Sequence, residues 1–296
     1  MPEPSVSIIV LNYNGKSVLG ECLKSVYDQN YSNYEIIIID NASKDDSLVE
    51  ARRMFSQAVI IQNSQNLGFA AGNNVGISMA LEKASDYIML LNNDTVLDSQ
   101  CLKVLVEGLD SDRGLAALGP AIFYFDKPDK SWFQNLKMDW RRGILVHGQD
   151  NKLYRNDFCE AGMLSGCAVM LRASVFKECG LFDESFFLYA EDTDLFIRIK
   201  EKGYRFGCLP QAKVWHKIGA SGIQPWTTLY LYYVTRNRLF LLKKHKNLIK
   251  WLFFIPYIVY FHIKMIVYFI LKGKFKHLMF FLRGVYDFAR DKSGQL

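Results

Sequence analysis

The sequence lacks the signatures of several common enzyme classes. Its six cysteines contain no C-x-x-C pair, which argues against a zinc ribbon and a thioredoxin-like motif. The patterns G-x-G-x-x-G, G-x-x-x-x-G-K-[ST] and G-x-S-x-G are also missing. Their absence argues against a Rossmann dinucleotide site, a phosphate-loop NTPase and an α/β-hydrolase. No internal repeat or low-complexity tract is visible.

A secretory signal is not evident either. The first apolar run begins at Val6, with no basic region before it and no small-residue cleavage site after it, so we expect the globular part to stay in the cytoplasm. The scattered cysteines are typical of reduced, structural thiols in that compartment. They are Cys22, Cys101, Cys159, Cys167, Cys179 and Cys208.

Charge divides the chain near Gly222. Residues 223–296 carry thirteen Lys or Arg and two Asp, a net charge of +11, and residues 1–222 carry the remaining −5 of the formal +6. We therefore predict one large α/β domain over 1–222 and a helical, membrane-associating extension over 223–296.

Short apolar runs alternate with helical patterns in the first domain, which is typical of a mostly parallel sheet flanked by helices. The four isoleucines 36–39 lack the alternation of a half-solvated strand and indicate a strand buried on both faces. The predicted strands are Val6–Leu11, Ile36–Asp40, Ala58–Gln62, Tyr87–Asn92, Cys167–Leu171 and Ala212–Trp215. The predicted helices lie near Lys16–Asp28, Lys44–Phe55, Asn74–Lys83, Ser99–Leu109 and Glu191–Lys202, and residues 126–160 are predicted to be an irregular insertion or lid.

Polar residues follow three of these strands, in Asn12–Asn14, Asp40–Ala42 and Asn92–Asp94. Because ligands of open α/β sheets bind outside the carboxyl ends of the strands, these segments are expected to line one crevice. Ser43 and Asp46 form a capping-box-like start for the second helix.

Two positions are candidates for a divalent cation. Asp94 supplies a carboxylate oxygen at a strand end, and His216 ends the last short strand. The alternatives are that Asn92-Asn93-Asp94 merely begins a turn and that His216 is a hydrogen-bonded structural residue.

Glu191, Asp192 and Asp194 place three carboxylates in the first turn of one helix, where acidic residues also simply complement the helix dipole. A deprotonated carboxylate there can accept a proton from an attacking hydroxyl group. Asp192 is the predicted base, and Glu191 is the alternative.

The segment Asn66–Asn74 joins a strand to a helix. Gly68 and Gly72 allow the backbone to approach a ligand closely, and a helix that starts near Asn74 would offer N–H groups to an anion.

The ordered set of motifs resembles the inverting family 2 glycosyltransferases with a GT-A fold, and within them the rhamnosyl- and galactofuranosyltransferase subgroup. The resemblance covers about residues 5–240. Its motifs are Val6–Asn14, Ile39–Ser43, Asn66–Asn74, Leu90–Thr95, Ser165-Gly166, Glu191-Asp192 and Trp215-His216.

The resemblance implies a role for each motif. Asp40 and the segment Asn12, Tyr13 and Asn14 are expected to hold the donor's pyrimidine base, and Asp192 to act as the base of a single displacement with inversion. Asp94 and His216 are expected to bind Mg²⁺ or Mn²⁺. The remaining expected donor-site residues are Asn66, Gly68, Phe69, Asn73, Asn74, Asn92 and Asn93, and those on the acceptor side are Ser165 and Gly166.

The sequence departs from the family in one respect. The usual acidic D-x-D is Asn92-Asn93-Asp94 here, so its first carboxylate is missing. One metal ligand fewer leaves strict metal dependence open.

The extension contains 21 mostly apolar residues, Trp251–Leu271, bracketed by basic residues. That length can span a bilayer, but Pro256, His262 and Lys264 favour an interfacial or re-entrant helix equally. Basic residues around apolar helices suit an anionic cytoplasmic leaflet and argue against nucleic acid. Packing against the core or against another subunit of a homo-oligomer is the alternative.

These observations lead to one functional hypothesis. The chain is expected to transfer L-rhamnose from a dTDP donor to a lipid-linked or growing bacterial surface glycan at the cytoplasmic face of the membrane. A UDP-hexose or UDP-galactofuranose donor, and a non-catalytic nucleotide-sugar-binding scaffold, are the alternatives.

Overall fold

A computed structural model of the protein describes residues 3–133, 136–140, 142–147, 158–217, 226–245 and 248–296. Its strands are β1 (Val6–Asn12), β2 (Tyr34–Asp40), β3 (Val59–Gln62), β4 (Tyr87–Asn92), β5 (Thr95–Leu97), β6 (Leu115–Tyr124), β7 (Lys127–Phe133), β8 (Leu136–Asp139), β9 (Ile144–His147), β10 (Cys159–Glu160), β11 (Ala168–Arg172) and β12 (Arg205–His216). Its helices are α1 (Leu19–Tyr27), α2 (Ser47–Met54), α3 (Gly68–Glu82), α4 (Cys101–Ser111), α5 (Ala173–Cys179), α6 (Glu191–Glu201), α7 (Thr228–Lys244), α8 (Leu248–Leu271) and α9 (Phe275–Ala289).

One large sheet forms the centre of the molecule, with strand order β10-β12-β6-β11-β4-β1-β2-β3. Strands β3, β2, β1 and β4 are mutually parallel, and β12 is parallel to β6. Strand β11 runs antiparallel to both of its neighbours. The predicted mostly parallel α/β sheet with flanking helices is thus confirmed.

The isoleucine run explains how the sheet is buried. In β2, Ile36 and Ile38 point into the core on one face, and Ile37 and Ile39 point into the core on the other face. All four are at most 4% exposed. The prediction of a strand buried on both faces is confirmed, because alternate side chains of a strand point to opposite faces.

Several predicted boundaries are wrong. Helix α3 begins at Gly68, six residues before Asn74, and β12 begins at Arg205 rather than Ala212. Ser43 does not cap α2, since its hydroxyl accepts a hydrogen bond from the Asn14 N–H at 2.9 Å and the helix begins at Ser47. The described part of 126–160 contains β7 to β10 rather than irregular chain.

The C-terminal helices α7 to α9 pack on one another and on the α/β part of the fold. Leu241 of α7 lies in the same core cluster as the α6 side chains, and Phe269 and Phe281 join α8 to α9. The predicted boundary at residue 222 falls outside the described residues.

Within the described chain, one helical stretch, Phe254–Leu271 of α8, is long and apolar enough to cross a membrane by length and composition. Only 22% of it is buried inside the protein. The large apolar side chains exposed on α8 are Leu252, Ile255, Val259, Tyr260, Ile263, Val267, Tyr268, Ile270 and Leu271.

Candidate active site

The ends of β1 and β2 form a buried polar cluster. Asn12 and Asp40 are register partners on these adjacent strands, and the Asn12 amide donates to the Asp40 carboxylate at 2.9 Å. The second Asp40 oxygen accepts the Ser43 N–H at 3.1 Å. The side-chain oxygen of Asn12 accepts from the Asn93 side-chain amide at 2.7 Å, so the polar residues at the ends of β1, β2 and β4 meet as the sequence predicts.

Tight turns surround this cluster. Asn14 and Ala42 have left-handed backbones, with φ of 52° and 58°. Gly15, which follows Asn14, has no room for a side chain. A Cβ there would lie 2.2 Å from the side-chain oxygen of Asn12 and 2.3 Å from the side-chain nitrogen of Asn93. Tyr13, at the rim, is 38% exposed.

Asp94 and His216 are in direct contact. The imidazole Nε2 lies 3.1 Å from the Asp94 carboxylate, because β5 and β12 are antiparallel neighbours that pair Thr95 with His216. The edge of the His216 ring packs on Trp132, with ring centroids 4.5 Å apart. Both predicted metal ligands therefore stand together at one strand end.

The two side chains offer an oxygen and a nitrogen donor, which are ligand types that Mn²⁺ and Mg²⁺ sites use. Asp94 is 3% exposed and His216 7%, and the imidazole Nδ1 is buried with no hydrogen-bond partner within the described structure. Over the described residues, no group of three or more His, Cys, Asp or Glu converges on one point. Two donors do not complete the coordination shell of such a cation, so its remaining ligands would come from outside this pair.

Glu191 and Asp192 begin α6 but have different surroundings. Burial and the neighbouring Asp192 charge raise the pKa of Glu191 well above its usual range, and one Glu191 oxygen is buried with no hydrogen-bond partner in the described chain. Burial also raises the pKa of Asp192, although hydrogen bonds from Gly166 and Thr193 lower it. Of the two, Asp192 is the carboxyl equipped to hold a negative charge.

Gly166 brings three motifs into contact. Its N–H donates to Asp192 at 3.2 Å. A Cβ at this position would lie 3.0 Å from the Phe69 ring and 3.5 Å from the Asp192 Cβ. Ser165 beside it is buried and accepts the Cys167 N–H at 3.3 Å. The segment predicted for the acceptor side therefore touches both the donor-side loop and the predicted base.

The loop of residues 66–74 differs from the prediction. Because α3 begins at Gly68, Asn73 and Asn74 lie inside the helix and do not cap an anion site. The Asn74 side chain exchanges hydrogen bonds with the Phe182 backbone and donates to Glu184. Asn66 accepts the Gly68 N–H at 2.9 Å. The prediction of an anion site at Asn74 is therefore wrong, because its side-chain amide is hydrogen-bonded to the loop of Phe182 and Glu184.

Asn63 and Trp132 were missed from the sequence, whereas Asn41 belongs to the segment Asp40–Ala42 that was predicted to line the crevice. Asn41 donates to the Gly68 carbonyl at 2.8 Å and accepts from Asn63, which links β2, the end of β3 and α3. Asn41 directly follows β2 and Asn63 directly follows β3, and this place after a strand was a signal from which their contact could have been predicted. Trp132 carried no such signal, because its contact with His216 depends on the pairing of β7 with β6.

Sequence comparisons agree on one family. The model of "Glycosyl transferase family 2" matches residues 7–180. An uncharacterized glycosyltransferase of Haemophilus influenzae is 27% identical over 73% of this chain and 66% of its own length. An N-acetylglucosaminyl-diphospho-decaprenol L-rhamnosyltransferase of Mycobacterium tuberculosis is 24% identical over 81% of this chain and 85% of its own.

Solved structures share the fold. GalNAc-T7 with UDP, GalNAc and Mn²⁺ superposes with a TM-score of 0.61 at 19% identity, over 79% of this chain and 48% of its own length. A mannosyltransferase from Pyrobaculum calidifontis in complex with GDP-Man and Mn²⁺ gives 0.57 at 16% identity, over 100% and 77%. The chain thus spans less than half of GalNAc-T7 and about two thirds of the Haemophilus relative. The expected GT-A fold is confirmed.

Proposed function

Since the chain belongs to glycosyl transferase family 2, we propose that it transfers a sugar from a nucleotide diphosphate donor to a glycan hydroxyl with inversion at the anomeric carbon. The observation that carries the proposal is the contact of Asp192 with Gly166, whose backbone also packs on Phe69. A partly exposed carboxylate there faces both the donor-side loop and the segment assigned to the acceptor.

The reaction is a single displacement. Asp192 accepts the proton of the acceptor hydroxyl, the hydroxyl oxygen forms a bond to the anomeric carbon, and the bond from that carbon to the diphosphate oxygen breaks. Attack from the face opposite the leaving group inverts the configuration. Burial and the neighbouring Asp192 charge raise the pKa of Glu191, which disfavours its charged form relative to that of Asp192.

The donor base is proposed to bind at the ends of β1 and β2. Asp40 is held by Asn12 and Ser43, which fixes the position of the carboxylate that would accept N–H groups of a pyrimidine. The half-exposed ring of Tyr13 at the rim supports the same assignment, since an aromatic face can stack on a base.

Asp94 and His216 are proposed to hold Mg²⁺ or Mn²⁺. A cation bound there supplies charge neutralisation for the departing nucleotide diphosphate. Asn92 and Asn93 keep the strand end in place: the Asn92 N–H donates to Cys167, and Asn93 donates to Asn12. The Mn²⁺ in both compared structures supports this part of the proposal.

The donor is proposed to be dTDP-L-rhamnose. The name of the mycobacterial relative, an L-rhamnosyltransferase, supports the sugar but does not give the nucleotide. Nucleotide release by purified protein, measured with dTDP-rhamnose and with UDP-hexoses and UDP-galactofuranose, tests this. We expect turnover with dTDP-rhamnose that is lost in excess EDTA and restored by Mn²⁺. Turnover with a UDP-sugar alone would overturn the donor, and an unchanged rate in EDTA would remove Asp94 and His216 from metal binding.

The acceptor is proposed to be lipid-linked, on the cytoplasmic face of the membrane. Exposed apolar residues on α9 recur at helical spacing. Lys272 and Lys274 lie between α8 and α9, and Lys276 lies in the first turn of α9. Apolar side chains that enter the interface and lysines that pair with anionic headgroups bind such a surface together. The exposed apolar residues of α9 are Phe275, Met279, Leu282 and Tyr286.

A further inference from the structure

The chain enters α6 through a strained turn. Tyr189 and Ala190 both have left-handed backbones, with φ of 69° and 79°, immediately before Glu191 and Asp192. Such a conformation is unfavourable for a residue other than glycine and persists only where the surroundings impose it. The direction of the first turn of α6, and hence of the proposed base, depends on what holds these two residues.

Asn237 of α7 holds them from the extension. Its buried side-chain amide donates to the Leu188 carbonyl at 2.8 Å and to the Tyr189 carbonyl at 2.9 Å. Its own oxygen accepts from the Arg236 guanidinium at 2.9 Å, which fixes the orientation of the amide. Both donors of one side chain are therefore spent on the two carbonyl groups that precede Ala190.

Other contacts of α7 hold the same region. The Phe187 ring stacks on Tyr233 at 5.5 Å, and Tyr189 meets Tyr230 edge to face at 5.3 Å. Further along α6, the buried Asp194 accepts from the other end of α7, through Lys244 and His245. Helix α7 thus contacts both the strained turn at Tyr189-Ala190 and α6, which begins directly after that turn.

We infer that Asn237 is a positioning residue that fixes the strained turn at Tyr189-Ala190 and thereby aims the Asp192 carboxylate. The inference rests on the proposed function, in which Asp192 is the base. Because Asn237 belongs to α7, the extension then contributes to catalysis by positioning the base. Helix α7 is itself held by α9, through the hydrogen bond from the Tyr232 hydroxyl to Asp287 at 2.8 Å.

The test uses Asn237→Asp and Asn237→Ala in the full chain. The aspartate has the same shape and keeps an acceptor for Arg236, but it replaces the amide donors with a carboxylate facing two carbonyl oxygens. We expect kcat to fall about 10- to 100-fold, because small misplacements of a reacting group cost that much, with the donor KM within about twofold of the wild type. The control is Lys243→Ala on the same helix as Asn237, since the Lys243 side chain pairs with the exposed Asp291 that follows α9, and this variant should keep full activity.

Two further variants separate positioning from general loss of structure. Ala190→Gly removes the strain at residue 190 while Tyr189 keeps its left-handed backbone, so adding it to Asn237→Asp should recover part of the lost kcat. In an Asp192→Asn background, Asn237→Asp should lower kcat no further, since residues that act as a unit are not additive. A kcat within twofold of wild type in both Asn237 variants, or full additivity with Asp192→Asn, would overturn the inference. If Asp192→Asn alone keeps full activity, the proposed function itself fails instead.

Discussion

At the scale of single residues, Glu191 and Asp192 show how neighbouring carboxyl groups acquire different tasks. Glu191 is 5% exposed and one of its oxygens has no hydrogen-bond partner in the described structure, so its charged form is strongly disfavoured. Asp192 accepts hydrogen bonds from two backbone N–H groups, those of Gly166 and Thr193, which stabilise its charged form. Adjacent positions in the sequence therefore differ in how well their surroundings stabilise the charged form of the carboxyl group.

Glu191→Gln is expected to stabilise the protein at neutral pH. The raised pKa of Glu191 means that its full contribution to stability is present only below the pKa of the unfolded chain. That contribution is lost as pH rises towards the folded pKa, because the unfolded state releases the proton more readily. The neutral glutamine removes this loss, which is on the order of 1 kcal/mol per pKa unit.

Thermal unfolding of the two proteins at pH 4.5, 6 and 8 measures the effect. The gain in Tm of Glu191→Gln should grow with pH and reach about 2 °C or more at pH 8. Glu107→Gln, on the exposed face of α4, is the control and should show no such growth. An equal Tm difference at all three pH values would contradict the burial argument.

At the scale of elements, strands were easier to predict than the starts of helices. The apolar runs of β1, β2 and β4 fixed their positions to within two residues, because burial on both faces makes the middle of each run almost continuously apolar, with Ser7 in β1 as a buried polar exception. The start of α3 was missed because Gly68 and Gly72 were interpreted as positions where the backbone approaches a ligand before the helix begins. They are required instead by tight packing, on Phe187 and on Leu11 and Asn41.

Gly68→Ala is expected to destabilise the protein by about 2 kcal/mol or more, because a left-handed residue and a close backbone contact coincide there. Its φ is +78°, and a Cβ would lie 2.2 Å from the Phe187 carbonyl oxygen. Gly20→Ala in α1 is the matched control: a Cβ there meets nothing within 4 Å, so stability should stay equal or rise. Urea unfolding of both variants decides, and equal midpoints for the two would refute the argument.

The exposed face of α9 makes a second prediction at this scale. Phe275 and Met279 are 65% and 59% exposed, so replacing both with Asp should leave the fold intact. The double variant is expected to lose at least about 10-fold in binding to vesicles that contain phosphatidylglycerol, since two charges would enter the interface. Flotation measures this, with Val49→Asp, at an equally exposed site on α2, as control. Undiminished flotation of the double variant would count against the membrane surface.

At the scale of the whole molecule, the sequence predicted the candidate site well where it depends on the sheet. Strand ends meet at one edge, so Asn12, Asp40 and Asn93 could be grouped from strand positions alone. The hydrogen bonds from Asn237 to the turn before α6 could not be predicted. They join residues 48 and 49 positions apart in sequence, which belong to different segments of the chain. A residue in a basic, aromatic helix gives no sign of that partner.

The central claim is that Asp192 accepts the acceptor proton during glycosyl transfer. It is tested most directly by the rate of sugar transfer by Asp192→Asn on the donor that the wild type uses. Asp129→Asn, on the exposed strand β7, serves as the charge-matched control. We expect kcat of Asp192→Asn to fall by about 100-fold or more, while the donor KM and the Tm change little. The control should keep its rate. A kcat of Asp192→Asn within twofold of the wild type would contradict it.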